Sequence, residues 1–258
     1  SSDLSLEENP TFQFNISSYI HPFFPQTFQN NFSGLIPQTQ FGIIKIADST
    51  GTVKLSNLME GIKWVDNNYK SNRISSGVIP FALFGCDEDL RDTVIDYIDN
   101  FIEKTHILLF LSAGNQGVDA DRNQLTYAKN PLIVGSINHL DQISSFSGMG
   151  IQTDSFKSSN IDLVAPGGSI VQNHLSVLSP STNEIGTNLE NSLTAITGTS
   201  ISSVIVAGYY NILANRYKLF NSTNEIDMEK VQELKDLLLL STTETNNVRE
   251  ENPQTSIL

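Results

Sequence analysis

Positive charge is scarce in this 258-residue chain: 15 Lys and Arg stand against 28 Asp and Glu, a formal net charge of −13. Such a field repels a phosphate backbone, which excludes nucleic acid as a partner. Cysteine occurs once, at Cys86, so no internal disulfide can form and the redox compartment stays open. Long apolar runs are also missing. The richest are Ile107 to Leu111 and Leu237 to Leu240, far below the roughly 20 residues a bilayer span needs, so no membrane span is expected. The opening SSDLSLEENP has neither a basic nor an apolar region of a secretion signal, so any such signal is expected to be gone or never to have existed. What remains is a globular balance, with 39% hydrophobic and 17% charged residues, enough for one sizeable core.

From about residue 41 short apolar runs alternate with longer amphipathic stretches, the rhythm of β-α-β units around a parallel sheet. The fold class that follows is α/β, a three-layer arrangement with a central, mostly parallel sheet flanked by helices. Strands are expected at Gly42 to Ala47, Val78 to Phe84, Ile107 to Ser112, Leu132 to Ile137 and Ile161 to Val164, with Pro80 weakening the second. Helices are expected at Ser56 to Asn68, Asp87 to Lys104, Ser200 to Lys218 and Asp227 to Leu240. In the second, Leu90, Val94, Ile95, Ile98, Phe101 and Ile102 are set inward, and the acids Asp87, Glu88, Asp89 and Asp92 read as cap and first turn rather than as a metal site. The third is apolar on nearly all sides and is expected to be a buried central helix. Residues 1–40, rich in Pro, Asn and Gln, form an irregular segment of the domain with one short strand at Thr11 to Ile16; 41–242 form the core and 243–258 a frayed tail.

Three segments carry chemistry: LFLSAGNQG at 109–117, IDLVAPGGSI at 161–170 and TGTSISSVIVAG at 197–208. In this order they resemble the subtilisin-like serine proteases, the subtilases, and the likeness extends over about residues 41 to 242. The resemblance implies that Ser200 is the nucleophile, at a helix N-terminus where unpaired N–H groups favour an oxyanion. It implies Asn115 as the second oxyanion donor. It also implies a specificity groove with Leu83, Phe84 and Gly85 on one side and Leu111, Ser112, Ala113 and Gly114 on the other. The bland alternative for Ser200 is a helix cap, and for Asn115 a bond to its own turn.

A serine nucleophile needs a base and the base an orienting carboxylate. The family's His-Gly-Thr-x-Val-Ala-Gly motif is not present, and His106, His139 and His174 lie in the wrong segments. The N-terminal stretch FNISSYIHPFF aligns in either of two ways. In one, Ser17 takes the position of the triad acid and His21-Pro22 is a noncatalytic pair. In the other, the acid's strand lies upstream of residue 1 and His21 is the candidate base. Asp48, in IIKIADSTG, imitates the acid's signature, but the following GIKWV marks that run as a later strand. After the nucleophile, Val204 stands where the family has proline. The expectation is therefore a subtilisin-like domain lacking ordinary triad catalysis that binds a peptide or protein, the alternative being an active endopeptidase with a non-standard or externally supplied base. No metal or cofactor is expected. Sequons at Asn15, Asn31 and Asn221 point to a secreted or cell-surface setting.

Overall fold

A computed structural model of the protein describes residues 6–8, 35–36, 39–49, 52–117, 123–148, 161–169, 177–180 and 193–242. The central sheet has four parallel strands in sequential order: β3 (Ser76–Ile79), β4 (Leu108–Ser112), β5 (Leu132–Ile137) and β6 (Leu163–Pro166). Val78 pairs with Phe110, Phe110 with Leu132, and Val134 with Leu163. Two antiparallel ribbons stand apart from it, β1 (Leu6–Glu8) with β2 (Gln40–Gly42), and β7 (Val177–Pro180) with β8 (Leu193–Ile196).

Every residue of β4 is buried, so the sheet is covered on both faces, as a continuous apolar run in a parallel strand requires. The helices are α1 (Leu55–Asn72), α2 (Glu88–Thr105), α3 (Thr199–Arg216) and α4 (Met228–Leu240). Helix α3 packs closely on all four strands and on α4, while α1 and α2 pack on each other. Its buried small residues Ser202, Ser203, Ala207 and Ala214 allow that approach, and the Asn211 amide donates to Ser76 Oγ at 2.8 Å, tying the helix to β3. Capping places the helix starts: Asp87 accepts from the Leu90 N–H at 2.8 Å and Asp227 from the Glu229 N–H at 3.0 Å. The Asp87 carboxylate thus serves as a cap, as its position in the acidic run suggests.

Four local expectations are corrected. The run Gly42 to Ala47 does not join the sheet: β2 ends at Gly42, and Ala47 only bridges Val53. Its alternation has another cause. Ile44 and Ile46 turn toward Gly61 of α1, while Ile43 is 68% exposed, so the residues alternate without a ladder. The second strand stops at Ile79 instead of Phe84, because Pro80 has no N–H to continue it. Leu90 is exposed rather than inward, since the first turn of α2 projects beyond the core. Helix α3 is not buried all round: Val204, Tyr209 and Ile212 are exposed on its outer face, where Leu35 reaches Gly208. Thr11 to Ile16 and the tail 243–258 lie outside the described residues.

Tyr210, on the sheet side of α3, is fully buried and tilts against Phe110 with ring centroids 5.5 Å apart. Among the described residues its hydroxyl has no hydrogen-bond partner, and burial pushes its pKa up because the phenolate would be left unsolvated. An unsatisfied buried hydroxyl is a net cost. Tyr210→Phe is therefore expected to stabilise the protein by about 1 kcal/mol, read as a higher urea midpoint at unchanged slope; a lower midpoint would show that the hydroxyl is satisfied in solution.

Candidate active site

The chemistry-bearing segments converge at the carboxyl edge of the sheet, where loops leaving parallel strands meet the start of α3. Pro80 follows β3, the Ala113-Gly114-Asn115 turn follows β4, and Gly167 follows β6. Gly198 begins the helix with φ 150°, a backbone region that favours glycine, and offers no side-chain cap of its own. The cap comes from across the site. Asn115 Oδ1 accepts from the Thr199 N–H at 2.9 Å and from the Thr199 hydroxyl at 2.8 Å. Thr199 Oγ1 in turn accepts from the Gly114 N–H at 3.2 Å. This relay orients the Asn115 amide. With Oδ1 committed to Thr199, Nδ2 is the end left to donate, and it lies 3.2 Å from where a Cβ on Gly198 would stand.

Ser200 is the second residue of α3 and is half-buried. The Thr199 N–H is taken by Asn115 and the Ile201 N–H by Gly198 O at 3.0 Å. Among the described residues nothing accepts from the Ser200 N–H, so it remains a donor at the positive end of the helix. The Ser200 hydroxyl itself donates to Pro80 O at 2.6 Å. The corner thus presents a hydroxyl beside two N–H donors, suited to a carbonyl or carboxylate oxygen.

Beneath it lies a buried serine network. Ser136 and Ser144 share a 2.8 Å hydrogen bond, Ser144 Oγ donates to Gly168 O at 2.8 Å, and Ser202 Oγ donates to Ala165 O at 2.9 Å. The Gly198 N–H donates to Gly167 O at 2.9 Å, joining this network to the helix start.

Of the residues singled out from sequence, Ser200, Asn115 and Gly114 come together here. Leu83 is half-buried and its backbone is bonded to Asn123 and Gln124, while Phe84 and Gly85 are exposed; Ser112 and Ala113 are each only 1% exposed, so their side chains face the interior. Ser17 and His21 lie outside the described residues. His106 caps the C-terminus of α2 against Ile226 O, and His139 sits in the turn after β5; neither is hydrogen-bonded to Ser200. Asp48 accepts from the Thr52 N–H in an exposed turn. The sequence pattern assigned no place in the site to Pro80, read there only as a strand breaker, to Thr199 as a relay, or to Gln116 and Asn123. Thr199 was visible in the Gly-Thr-Ser motif, while Asn123 had no signal in its polar stretch.

Several known proteins resemble this chain in sequence or in fold. Subtilisin NAT of Bacillus subtilis subsp. natto is 29% identical over 140 residues, 53% of this chain and 32% of that protein. The thermophilic serine proteinase of Bacillus sp. (strain AK1) is 26% identical over 184 residues, 71% of this chain and 38% of that protein. The chain therefore spans about a third of the length of these relatives. In fold it resembles the epidermin leader peptide processing serine protease of Staphylococcus aureus, with a TM-score of 0.63 at 20% identity over 83% of this chain and 54% of that one. A cold adapted subtilisin-like serine proteinase gives 0.56 at 21% identity over 79% and 60%. With the sequence pattern of the subtilase family matching residues 24–255 and the sheet and helices arranged as in these structures, the chain belongs to the subtilase family.

Proposed function

We infer that this subtilisin-like domain binds an extended peptide or protein segment at the Ser200–Asn115 corner without ordinary triad turnover. Ser200 is the residue facing the bound carbonyl, and Asn115 Nδ2 with the Ser200 N–H are its oxygen donors. Residues 41–242 are the working core of this domain. The observation that carries the reading is the 2.6 Å bond from Ser200 Oγ to Pro80 O. Attack on a carbonyl requires transfer of that proton to a base, and a peptide carbonyl cannot take it. No imidazole among the described residues is bonded to Ser200 in its place. A secreted or cell-surface setting fits this role and the exposed sequon at Asn221.

A fluorophosphonate probe tests it, with Ser200→Ala as control and intact mass as readout. The expected result is no stoichiometric adduct on the folded chain. Stoichiometric labelling that disappears in Ser200→Ala would mean that a base reaches the serine, favouring the endopeptidase reading that the assembled donor corner also supports.

A further inference from the structure

The turn between α3 and α4 carries the acceptor pattern Asn221-Ser222-Thr223, and all three residues are exposed. Its conformation is fixed from within. Asn221 Oδ1 accepts from the Thr223 N–H at 2.9 Å, the Thr223 hydroxyl at 2.8 Å and the Glu225 N–H at 2.8 Å, and the Asn221 N–H donates to Glu225 O at 2.9 Å. It is also fixed from outside. Lys70 Nζ donates to Glu225 Oε1 at 2.7 Å, Arg73 Nη1 donates to Asn224 Oδ1 at 2.8 Å, and the Arg73 guanidinium lies 4.9 Å from the centroid of the Phe220 ring.

The two ends of the Asn221 amide are therefore used differently. Oδ1 is drawn into the turn by its donors, whereas none of those bonds uses Nδ2. The amide also lies close enough to the Glu225 carboxylate to help Lys70, the main cause, hold it below the usual carboxylate range. Both groups are exposed, so Nδ2 stays open to a reagent arriving from solvent.

The turn sits at the amino edge of the sheet. Lys70 and Arg73 stand at the end of α1 just ahead of β3, and His106, which ends α2 just ahead of β4, meets Ile226 O at 3.1 Å. The Ser200 corner is at the carboxyl edge, and the 18 residues of α3 set the two apart by roughly 25 Å.

We propose that Asn221 is the attachment point of an N-linked glycan, placed at the pole of the domain away from the Ser200 corner and leaving that corner free to bind. In the transfer, Nδ2 forms a bond to the anomeric carbon of a lipid-linked oligosaccharide. The bond from that carbon to the lipid pyrophosphate breaks, its electron pair leaving on oxygen, and one Nδ2 proton passes to a base of the transferase. Thr223 supplies the hydroxyl that the acceptor pattern requires. Oδ1 is untouched by the reaction, so the turn keeps its bonds and the bulky, solubilising sugar chain projects into solvent. The proposal rests on the secreted or cell-surface setting and is independent of the chemistry at Ser200.

The test treats the protein isolated from its source with peptide N-glycosidase in heavy-oxygen water, which converts a glycan-bearing asparagine to a labelled aspartate, and reads the peptides by mass. A control in the same water without the enzyme separates spontaneous deamidation. Label at Asn221 is expected in the treated sample alone. The same chain passed through the secretory pathway of a eukaryotic cell is expected to carry it too, to lose it completely in Thr223→Ala and to keep it in Thr223→Ser. Label at Asn15 or Asn31 with Asn221 bare in the source protein overturns the site and leaves the setting standing. A source protein bare at all three, beside a secreted recombinant chain labelled at Asn221, overturns the setting and the proposal with it. Asn221 bare in the secreted, folded chain, or label that survives Thr223→Ala, overturns the site itself.

Discussion

Gly167→Ala is expected to cost about 3 kcal/mol or more and to unseat the start of α3. A Cβ at this position would lie nearer than 3 Å to Ser136 Oγ and Ser202 Oγ, and 2.8 Å from Gly198 O. None of these can give way cheaply. Both serines are fully buried, one bonded to Ser144 and the other to Ala165 O, and Gly198 O is backbone that accepts from the Ile201 N–H at 3.0 Å. The added methyl must therefore push β6 away from α3, breaking the bond from the Gly198 N–H to Gly167 O. Ser200, two residues into the helix, moves with it. Urea unfolding with near-UV circular dichroism measures the effect, and a variant within about 1 kcal/mol of wild type would show that the turn after β6 is looser than described. Adding Ser202→Ala removes one of the opposing oxygens and is expected to recover part of the loss, a coupling that a double-mutant cycle reads directly.

The second large effect is expected at the other support of the corner. A Cβ on Gly148 would strike Ala113 O and stand 3.0 Å from Ala113 C, both backbone of a residue 1% exposed whose N–H is bonded to Val134 O at 3.0 Å. The segment around Gly148 holds the turn that carries Asn115: the Gly148 N–H donates to Gly114 O at 2.8 Å and the Gly117 N–H to Phe146 O at 2.7 Å. Gly148→Ala is expected to lose about 2–3 kcal/mol, and both of these bonds with it. Hydrogen exchange locates the damage. Protection at the Gly117 and Gly148 amides should fall while that of Leu109 and Phe110, in the middle of β4, persists; unchanged protection at Gly117 would disprove that the segment around Gly148 holds the turn.

Where periodicity and end signals coincide, the sequence expectations and the structure agree closely. Strand β5 matches the expected Leu132 to Ile137, and α2 begins one residue after the Asp87 that caps it. Buried apolar runs flanked by polar punctuation leave little choice of pairing, and a carboxylate before an amphipathic stretch marks a helix start. The motif around Ser200 was equally legible, because glycine, threonine and serine before an apolar helix each serve a local geometric need. Agreement fails where a local pattern has two tertiary outcomes. Ile44 and Ile46 alternate with exposed neighbours as a sheet strand would, yet pack on α1 instead. The apolar circumference of α3 suggested burial all round, but exposure depends on what packs against each side, which composition does not state.

By itself, then, the sequence determined the α/β class, the buried parallel strands β4 and β5, the family and the candidate status of Ser200 and Asn115, all of which rest on interactions between near neighbours in the chain or on motifs read in order. Only the tertiary structure decided that Thr199 relays between Gly114 and Asn115, that the Ser200 proton points to Pro80 O, and that Asn123 ties the backbone of Leu83 to that of Ser112. Those contacts join residues 40 to 120 positions apart, except the shorter link from Asn123 to Ser112. Their hydrogen bonds depend on where strands end and turns approach, and a string of residue types holds no distance between them until the sheet has formed.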